Sequence, residues 1–306
     1  MSQRPLRIFT AVWGQQHLEW FENGLVRSLG WPQNKASIQH AVWSIFAMPS
    51  DMDRAKEIAS RILPADKIET HNLISLLQGS LPTAQSFLFR ALMSAMHECL
   101  GDGSQFLMAP PDTVFSEGSI QTLIEVGHPQ GTCVAVAHPR VHPSLLTEIN
   151  DKEPLAGGHM CRLSFLQENL HRTWVDAEVG REMVNSYIAG VSWRRINPSI
   201  IAVSHRLPTV YLANFTAADL TYFMHPKRGR PQSFGYWDHD WPSELTNHGR
   251  QRVIGSSDAA FVVEITKPQD NIPPVRHANE FDPTAFCRQE SHNLHNLNAL
   301  VIFRPE

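Results

Sequence analysis

The 306-residue chain has little cysteine, and what it has is scattered. Cys99, Cys133, Cys161 and Cys287 form no Cys-x-x-Cys pair, so neither a thiolate metal knuckle nor a dithiol redox motif is written into it. Such usage suits a reducing compartment. Apolar runs are short. None approaches the roughly 20 residues a membrane helix needs, and Met1 to Pro5 carries no apolar signal region. A cytoplasmic location is therefore the expectation. The signature loops of several enzyme classes are also missing. Trp13-Gly14-Gln15-Gln16 stands where a dinucleotide fold would place Gly-x-Gly-x-x-Gly. There is no phosphate-loop Gly-x-x-x-x-Gly-Lys, no His-Glu-x-x-His and no Gly-x-Ser-x-Gly elbow. Charge excess is small: a net charge of −4 gives no field that recruits nucleic acid or an anionic membrane.

What is present is the composition of a globular α/β chain, 42% hydrophobic and 18% charged. Leu6 to Trp13 is apolar and β-branched, which suits a buried strand. Leu18, Phe21, Leu25 and Leu29 follow at helical spacing. Trp31 to Asn34 reads as a turn, Ile38 to Met48 as a second strand, and Asp51 as the cap of a helix presenting Ala55, Ile58, Ala59 and Ile62. Lys67 to Thr70 is a short third strand. Leu88, Leu92, Ala95 and Cys99 stripe a helix stopped by Gly101 and Gly103. Gln105 to Ala109 is a fourth strand, ended by Pro110-Pro111-Asp112. Ser119 caps the next helix, and Thr132 to Ala137 is a fifth strand. This alternation predicts an α/β fold with a mixed, mainly parallel sheet and helices on both faces. The division expected is residues 1–150 against a less regular 151–306, within one continuous domain. The second part offers helices near 159–170 and 174–189, strands near 199–204, 209–212, 260–265 and 299–304, and a polar loop from Met224 to Pro242.

Polar residues collect at strand ends and in that loop. Open α/β sheets bind ligands beyond the carboxyl ends of their strands, which singles out Asp112 after the fourth strand. His138 and Arg140 follow the fifth, and His205 and Arg206 follow a later one. The loop holds His225, Lys227, Arg228, Arg230, Asp238, His239 and Asp240, the last three flanked by Trp237 and Trp241. Asp258 precedes the strand that contains Glu264. Carboxylates with histidine suit a divalent cation bridging phosphate oxygens, and Arg or Lys beside them suit a pyrophosphate leaving group. Tryptophan faces suit sugar rings. Each residue also has a plain structural reading: Asp112 and His138 as turn residues, His205 as a satisfied interior histidine, the basic loop segment as solvated, Glu264 as a strand residue.

At these residues the chain resembles a glycosyltransferase-like protein of the GT-A type, bacterial or phage. Ile8 to Gly14 with Ser28, Leu29 and Asn34 is similar to that family's first strand and helix. Ala109 to Ser119 resembles its strand ending in a carboxylate motif. Met224-His225-Pro226 with Tyr236 to Asp240 resembles a His-Pro … Asp-x-Asp pattern, and Gly255 to Glu264 its segment before a late strand. The resemblance implies a GT-A-like fold, with a Rossmann-like nucleotide-sugar-binding half in 1–150 and an acceptor and catalytic half in 151–306. It implies a nucleotide-sugar donor contacted by Thr10, Trp13, Asp112, Arg140 and Arg228. A divalent cation, Mn²⁺ or Mg²⁺, would sit on Asp112 and His225. Catalysis would fall to Asp238, Asp240 and Asp258, with Asp238 or Asp240 either deprotonating the acceptor hydroxyl or completing the metal site in place of His225. The acceptor would be a glycan or another hydroxyl; modified DNA has no support from the charge. One departure stands out: Pro110-Pro111-Asp112 keeps one carboxylate of the usual Asp-x-Asp. A non-catalytic carbohydrate- or nucleotide-binding protein on the same fold, or a nucleotidyltransferase, is the alternative.

Overall fold

The computed structural model describes residues 4–76, 84–129, 131–150, 154–166, 169–170, 175–176, 183–184, 191–205, 209–224, 241–267, 276–277 and 299–305. β1 (Leu6–Val12) is buried at every position, as a nearly unbroken apolar run must be when helices cover both faces of its sheet. The chain leaves it through Gly14, whose φ of +76° suits glycine. α1 (Gln15–Trp20), a π-helical turn (Phe21–Val26) and α2 (Arg27–Leu29) follow without a break, burying Leu18, Phe21, Leu25 and Leu29.

α3 (Pro32–Ile38) lies where the sequence suggested a turn and the start of a strand. Pro32 takes the first helical position, where its missing N–H leaves nothing unbonded. β2 (Val42–Ala47) is shorter for it. α4 (Met52–Ala59), β3 (Ile68–Asn72), α5 (Ala84–Asp102) and β4 (Gln105–Met108) then keep the expected alternation. β5 (Thr113–Phe115), α6 (Ser119–Val126), β6 (Cys133–Val136), β7 (Arg140–Val141), α7 (Ser144–Asn150) and α8 (Gly157–Ser164) follow. The cap of α6 is Gly118 at φ +80°, one residue before the expected Ser119. Ser119 instead hydrogen-bonds inward, to Ser116 and the Phe261 carbonyl.

Where a helix was expected near 174–189, the described residues are extended: β8 (Val175–Asp176) and β9 (Met183–Val184). β8 pairs with β10 (Val191–Asn197) and β9 with β15 (Arg276–His277), so strand pairing overrides the helical spacing that places Val175 and Met183 eight residues apart. β11 (Ile200–His205), β12 (Thr209–Ala213), α9 (Ala217–Met224), α10 (Trp241–Asn247), β13 (Gln251–Ile254), β14 (Val262–Ile265), β15 (Arg276–His277) and β16 (Ala299–Phe303) complete the described elements.

The main sheet has seven strands in the order β13-β6-β12-β4-β1-β2-β3. β12 alone runs antiparallel to its neighbours in it; the other pairings are parallel. It is the mixed, mainly parallel α/β sheet that the sequence implied. β12 and β13, both from beyond residue 150, lie in the same sheet as β1 to β4. Alternate side chains serve opposite faces. Ile8, Trp43 and Leu107 pack with Phe21, Ile58 and Leu123 of the first face. Phe9, Phe46 and Phe106 pack with Leu92, Phe223 and Leu245 of the second. A third cluster joins β5, β7 and β14 to α7, α8, β11 and β16. Gly157 opens α8 because a Cβ there would lie 1.9 Å from the Ser257 carbonyl oxygen. Among the described residues no helix is long and apolar enough to cross a membrane.

Candidate functional site

The end of β4 decides where the site forms. The Ala109 amide donates to Phe9 O at 2.9 Å, the last rung to β1. Two prolines cannot extend a ladder, since neither has an N–H. The chain turns instead: the Thr113 amide donates to Pro110 O at 3.1 Å, with Pro111 and Asp112 at the corners. Proline is favoured at the first corner of such a turn because its φ is already set. Asp112 is thus a turn residue and also stands at the carboxyl edge of the sheet. It is half-buried, and its carbonyl accepts the Ile265 amide at 2.7 Å. That bond ties the turn to the three-stranded sheet β5-β14-β7.

In this small sheet Glu264 lies opposite Thr113 on one side and Arg140 on the other. Its two carboxylate oxygens serve different partners. Oε2 is 3.0 Å from His138 Nε2, and Oε1 is 3.1 Å from Arg140 Nε. The Thr266 hydroxyl donates to Oε1 at 3.2 Å. Burial works against the Glu264 charge, but the Arg140 guanidinium and the bonded His138 outweigh it and hold the carboxyl well below its usual range. The His138 ring stands edge-on to Tyr211, 5.6 Å between centroids at 83°. Tyr211 is held in turn by Phe115 at 5.6 Å. The fold therefore brings Arg140 and His138 beside the Asp112 turn. Thr266 is a member of this cluster that the sequence did not reveal. His138 and Arg140 stand two apart around a proline, a same-face spacing that signals a shared partner but not which one.

A second part of the carboxyl edge lies at the ends of β1 and β2. The Gly14 amide donates to Asp51 Oδ2 at 2.8 Å. Asp51 sits at the N-cap of α4 yet makes no side-chain cap bond, because its carboxylate clasps β1 to β2. Trp13 is half-buried beside it. Its ring lies 5.7 Å from that of His17, which is edge-on to Trp20. Thr10 is different. It is fully buried, its hydroxyl donating to Ala109 O at 2.7 Å and accepting Trp43 Nε1–H at 2.9 Å. The structure gives Thr10 a bracket inside the sheet rather than a ligand-facing position.

Other expected site residues fall elsewhere. Asp258 lies in the turn before β14, at the opposite end of that strand from Glu264, and pairs with Arg304. The fold separates it from Asp112. Trp241 is buried in the core, its Nε1–H donating to Asp219 Oδ1 at 2.9 Å, so its face is not a sugar platform. Asp219 also takes a two-pronged bond from Arg250, 2.7 Å on each oxygen. His205 ends β11 in the separate four-stranded sheet. Arg206, His225, Lys227, Arg228, Arg230, Trp237, Asp238, His239 and Asp240 lie outside the described residues. Cys99, Cys133 and Cys161 are buried thiols, in no disulfide among the described residues. Burial pushes the Cys99 and Cys133 thiols up to about 12, so neither is a nucleophile.

Among the described residues one set has metal-ligand spacing. Glu69, His71 and Glu98 can bring ligand atoms within 4.8 Å of one another and could hold a metal ion. Carboxylates with an imidazole are a plausible donor set for a divalent cation. The set lies under α5, away from the Asp112 turn, and a guanidinium already uses it. Arg7 Nη1 is 2.6 Å from Glu69 and 3.0 Å from Glu98, while Nη2 is 3.0 Å from Asp102.

No family model matches the chain, and no curated protein matches it. Among solved structures, the apo form of mouse xyloside xylosyltransferase 1 is similar at 12% identity and a TM-score of 0.30, over 44% of this chain and 52% of that one. The chain therefore spans about half the length of that protein. A likeness of this size carries no argument about what the chain does.

Proposed function

We propose that this protein is a glycosyltransferase that moves a sugar from a nucleotide-sugar donor to a hydroxyl acceptor. One observation carries the reading: the carboxyl edge of a mainly parallel sheet gathers Asp112 and, through the small sheet, the Arg140 guanidinium that pairs with Glu264. Such an edge suits a nucleotide, and a guanidinium suits its diphosphate. Trp13 offers a ring at the same edge. In the transfer, the bond from sugar C1 to the diphosphate oxygen breaks and its electron pair stays with the diphosphate. The acceptor oxygen bonds to C1, and its proton passes to Asp238 or Asp240. A divalent cation would be held by Asp112 with His225, and would supply charge neutralisation at the diphosphate. Asp112 alone is a single donor, so the cation depends on partners beyond the turn.

A second reading, a non-catalytic nucleotide- or carbohydrate-binding protein, is favoured by the single carboxylate in the Pro110-Pro111-Asp112 turn. A thermal-shift screen of nucleotide sugars and nucleoside triphosphates, with and without Mn²⁺, followed by turnover assays, separates the readings. Stabilisation by a sugar nucleotide with turnover is expected. Stabilisation by a sugar nucleotide without turnover favours the binding protein, and a response to triphosphates alone favours a nucleotidyltransferase instead.

A further inference from the structure

We propose that Glu69, His71 and Glu98 form a divalent-cation site of the zinc class, which fastens β3 to α5 and whose strength Arg7 sets. The inference does not rest on the transfer reading. Glu69 and His71 stand two apart on β3, so their side chains leave the same face of the sheet. Glu98 comes to them from α5. The set is not merely acidic. His71 Nε2 is buried and, among the described residues, makes no hydrogen bond. It lies 3.9 Å from Glu98 Oε1, too far for a hydrogen bond. Two ligand atoms on one cation, each bonded at about 2.1 Å, stand roughly 3 to 4 Å apart. A buried nitrogen without a partner costs free energy, and a cation in that gap removes the cost. Phe46 fixes the plane of the ring, stacked on it at 4.5 Å and 15°.

Arg7 shares the carboxylates without filling the gap. Its Nη1 donates to Oε2 of Glu69 at 2.6 Å and to Oε2 of Glu98 at 3.0 Å, and the Ser44 hydroxyl donates to the same Glu98 oxygen at 3.1 Å. Those bonds engage one oxygen of Glu98 and leave Oε1 on the His71 side. Outer hydrogen bonds of this kind orient ligating carboxylates. Charge points the same way. Glu69, Glu98 and Asp102 bring three negative charges to the single positive charge of Arg7, and a divalent cation supplies the two that remain. An imidazole beside carboxylates favours zinc over magnesium or calcium, which prefer oxygen ligands throughout. β3 is an edge strand of the main sheet, and Glu69 is 46% exposed there, so water can complete the coordination. Arg7 repels the cation as well as orienting its ligands, so it weakens the site without closing it.

The test is Zn²⁺ binding by the full chain after chelator treatment, read by calorimetry and by melting temperature. The unaltered protein should bind the ion and melt higher with it. Arg7→Met should bind about fivefold more tightly, the scale of one partly screened charge. His71→Ala should bind about 100-fold more weakly, since a lost ligand costs at least what a lost outer partner does. Asp112→Asn should bind as the unaltered protein does. Undiminished binding in His71→Ala overturns the proposal. So does absence of binding by the unaltered protein, and so does a rise in melting temperature confined to Arg7→Met, which would make the set a guanidinium pocket only. Loss of binding in Asp112→Asn moves the zinc to the β4 turn; it overturns this site and supports the cation of the transfer reading. X-ray absorption at the zinc edge of the loaded, unaltered protein needs no variant to fold. One imidazole among oxygen ligands supports the site, and a sulfur ligand or several imidazoles overturn it. None of these readouts involves turnover, so failure here leaves the transfer reading standing.

Discussion

Arg7 faces three carboxylates under α5, whereas Glu264 faces a guanidinium and an imidazole in the small sheet, so the two clusters are unbalanced in opposite directions. The first has a surplus of acceptors. It survives because Arg7 is nearly buried while its partners reach water, Glu69 at 46% and Asp102 at 41% side-chain exposure. Solvent supplies what one guanidinium cannot. Its work is structural: it joins β1, β3 and α5, with Ser44 of β2 accepting a further bond at 2.7 Å. The second cluster has a surplus of donors and is less exposed, 9% for His138 and 22% for Glu264. Water is less able to balance it. The second cluster is the one beside the Asp112 turn.

The comparison can be broken in several ways. The largest effect should come from Asp112→Asn. Donor turnover should fall about 10³-fold, the upper range for losing one transition-state contact, with the melting temperature unchanged; full activity in this variant removes Asp112 from the mechanism. Next is the balanced pair that serves as a reference for both clusters. Asp219 is buried against Arg250 and Trp241, so Asp219→Ala should cost about 3 kcal/mol in urea unfolding, because it strands a partly buried guanidinium. Arg7→Met should cost less, about 2 kcal/mol, because the carboxylates left behind can turn to water. Its affinity for pyrophosphate should be unchanged. The same variant should gain a Zn²⁺-dependent rise in melting temperature that His71→Ala removes, since the guanidinium no longer occupies Glu69 and Glu98. A gain of the same size in the unaltered protein would show that Arg7 does not guard the set.

A last test is in pH. The Glu264 carboxyl is lowered from 4.5 to about 2 in the folded chain. A lowered carboxyl contributes stability that is present above its unfolded value and is lost as pH falls through its folded value. The stability difference between the unaltered protein and Glu264→Gln should therefore be constant above about pH 5 and shrink between 4.5 and 2. A difference that is flat across this window contradicts the ionised pair.

Much of the fold was legible because its signals are local. β1, α5 and β4 each carry a periodicity that needs no partner to be read, and the two prolines after β4 can only end a strand. The sequence is silent where a residue's bond is made elsewhere. Asp51 has the identity of a helix cap, but its carboxylate goes to Gly14, 37 positions away. Thr10 sits on the strand expected to meet the donor, yet its hydroxyl is spent on Ala109 and Trp43. Asp258 lies in the expected order before a late strand, but Arg304 holds it at that strand's far end. Trp241 has the character of a sugar platform until Phe215, Phe223 and Asp219 enclose it.

By itself the sequence determined the alternation of strand and helix, the carboxyl edge as the place to look, and Asp112 as the residue standing there. Hydrophobic period and turn chemistry are short-range properties, so the chain states them directly. Only the tertiary structure decided strand order, and with it that β14 lies between β5 and β7. That placement brings Glu264 onto His138, 126 residues away. Such a pairing depends on which backbones hydrogen-bond across the sheet, and no spacing along the chain encodes it.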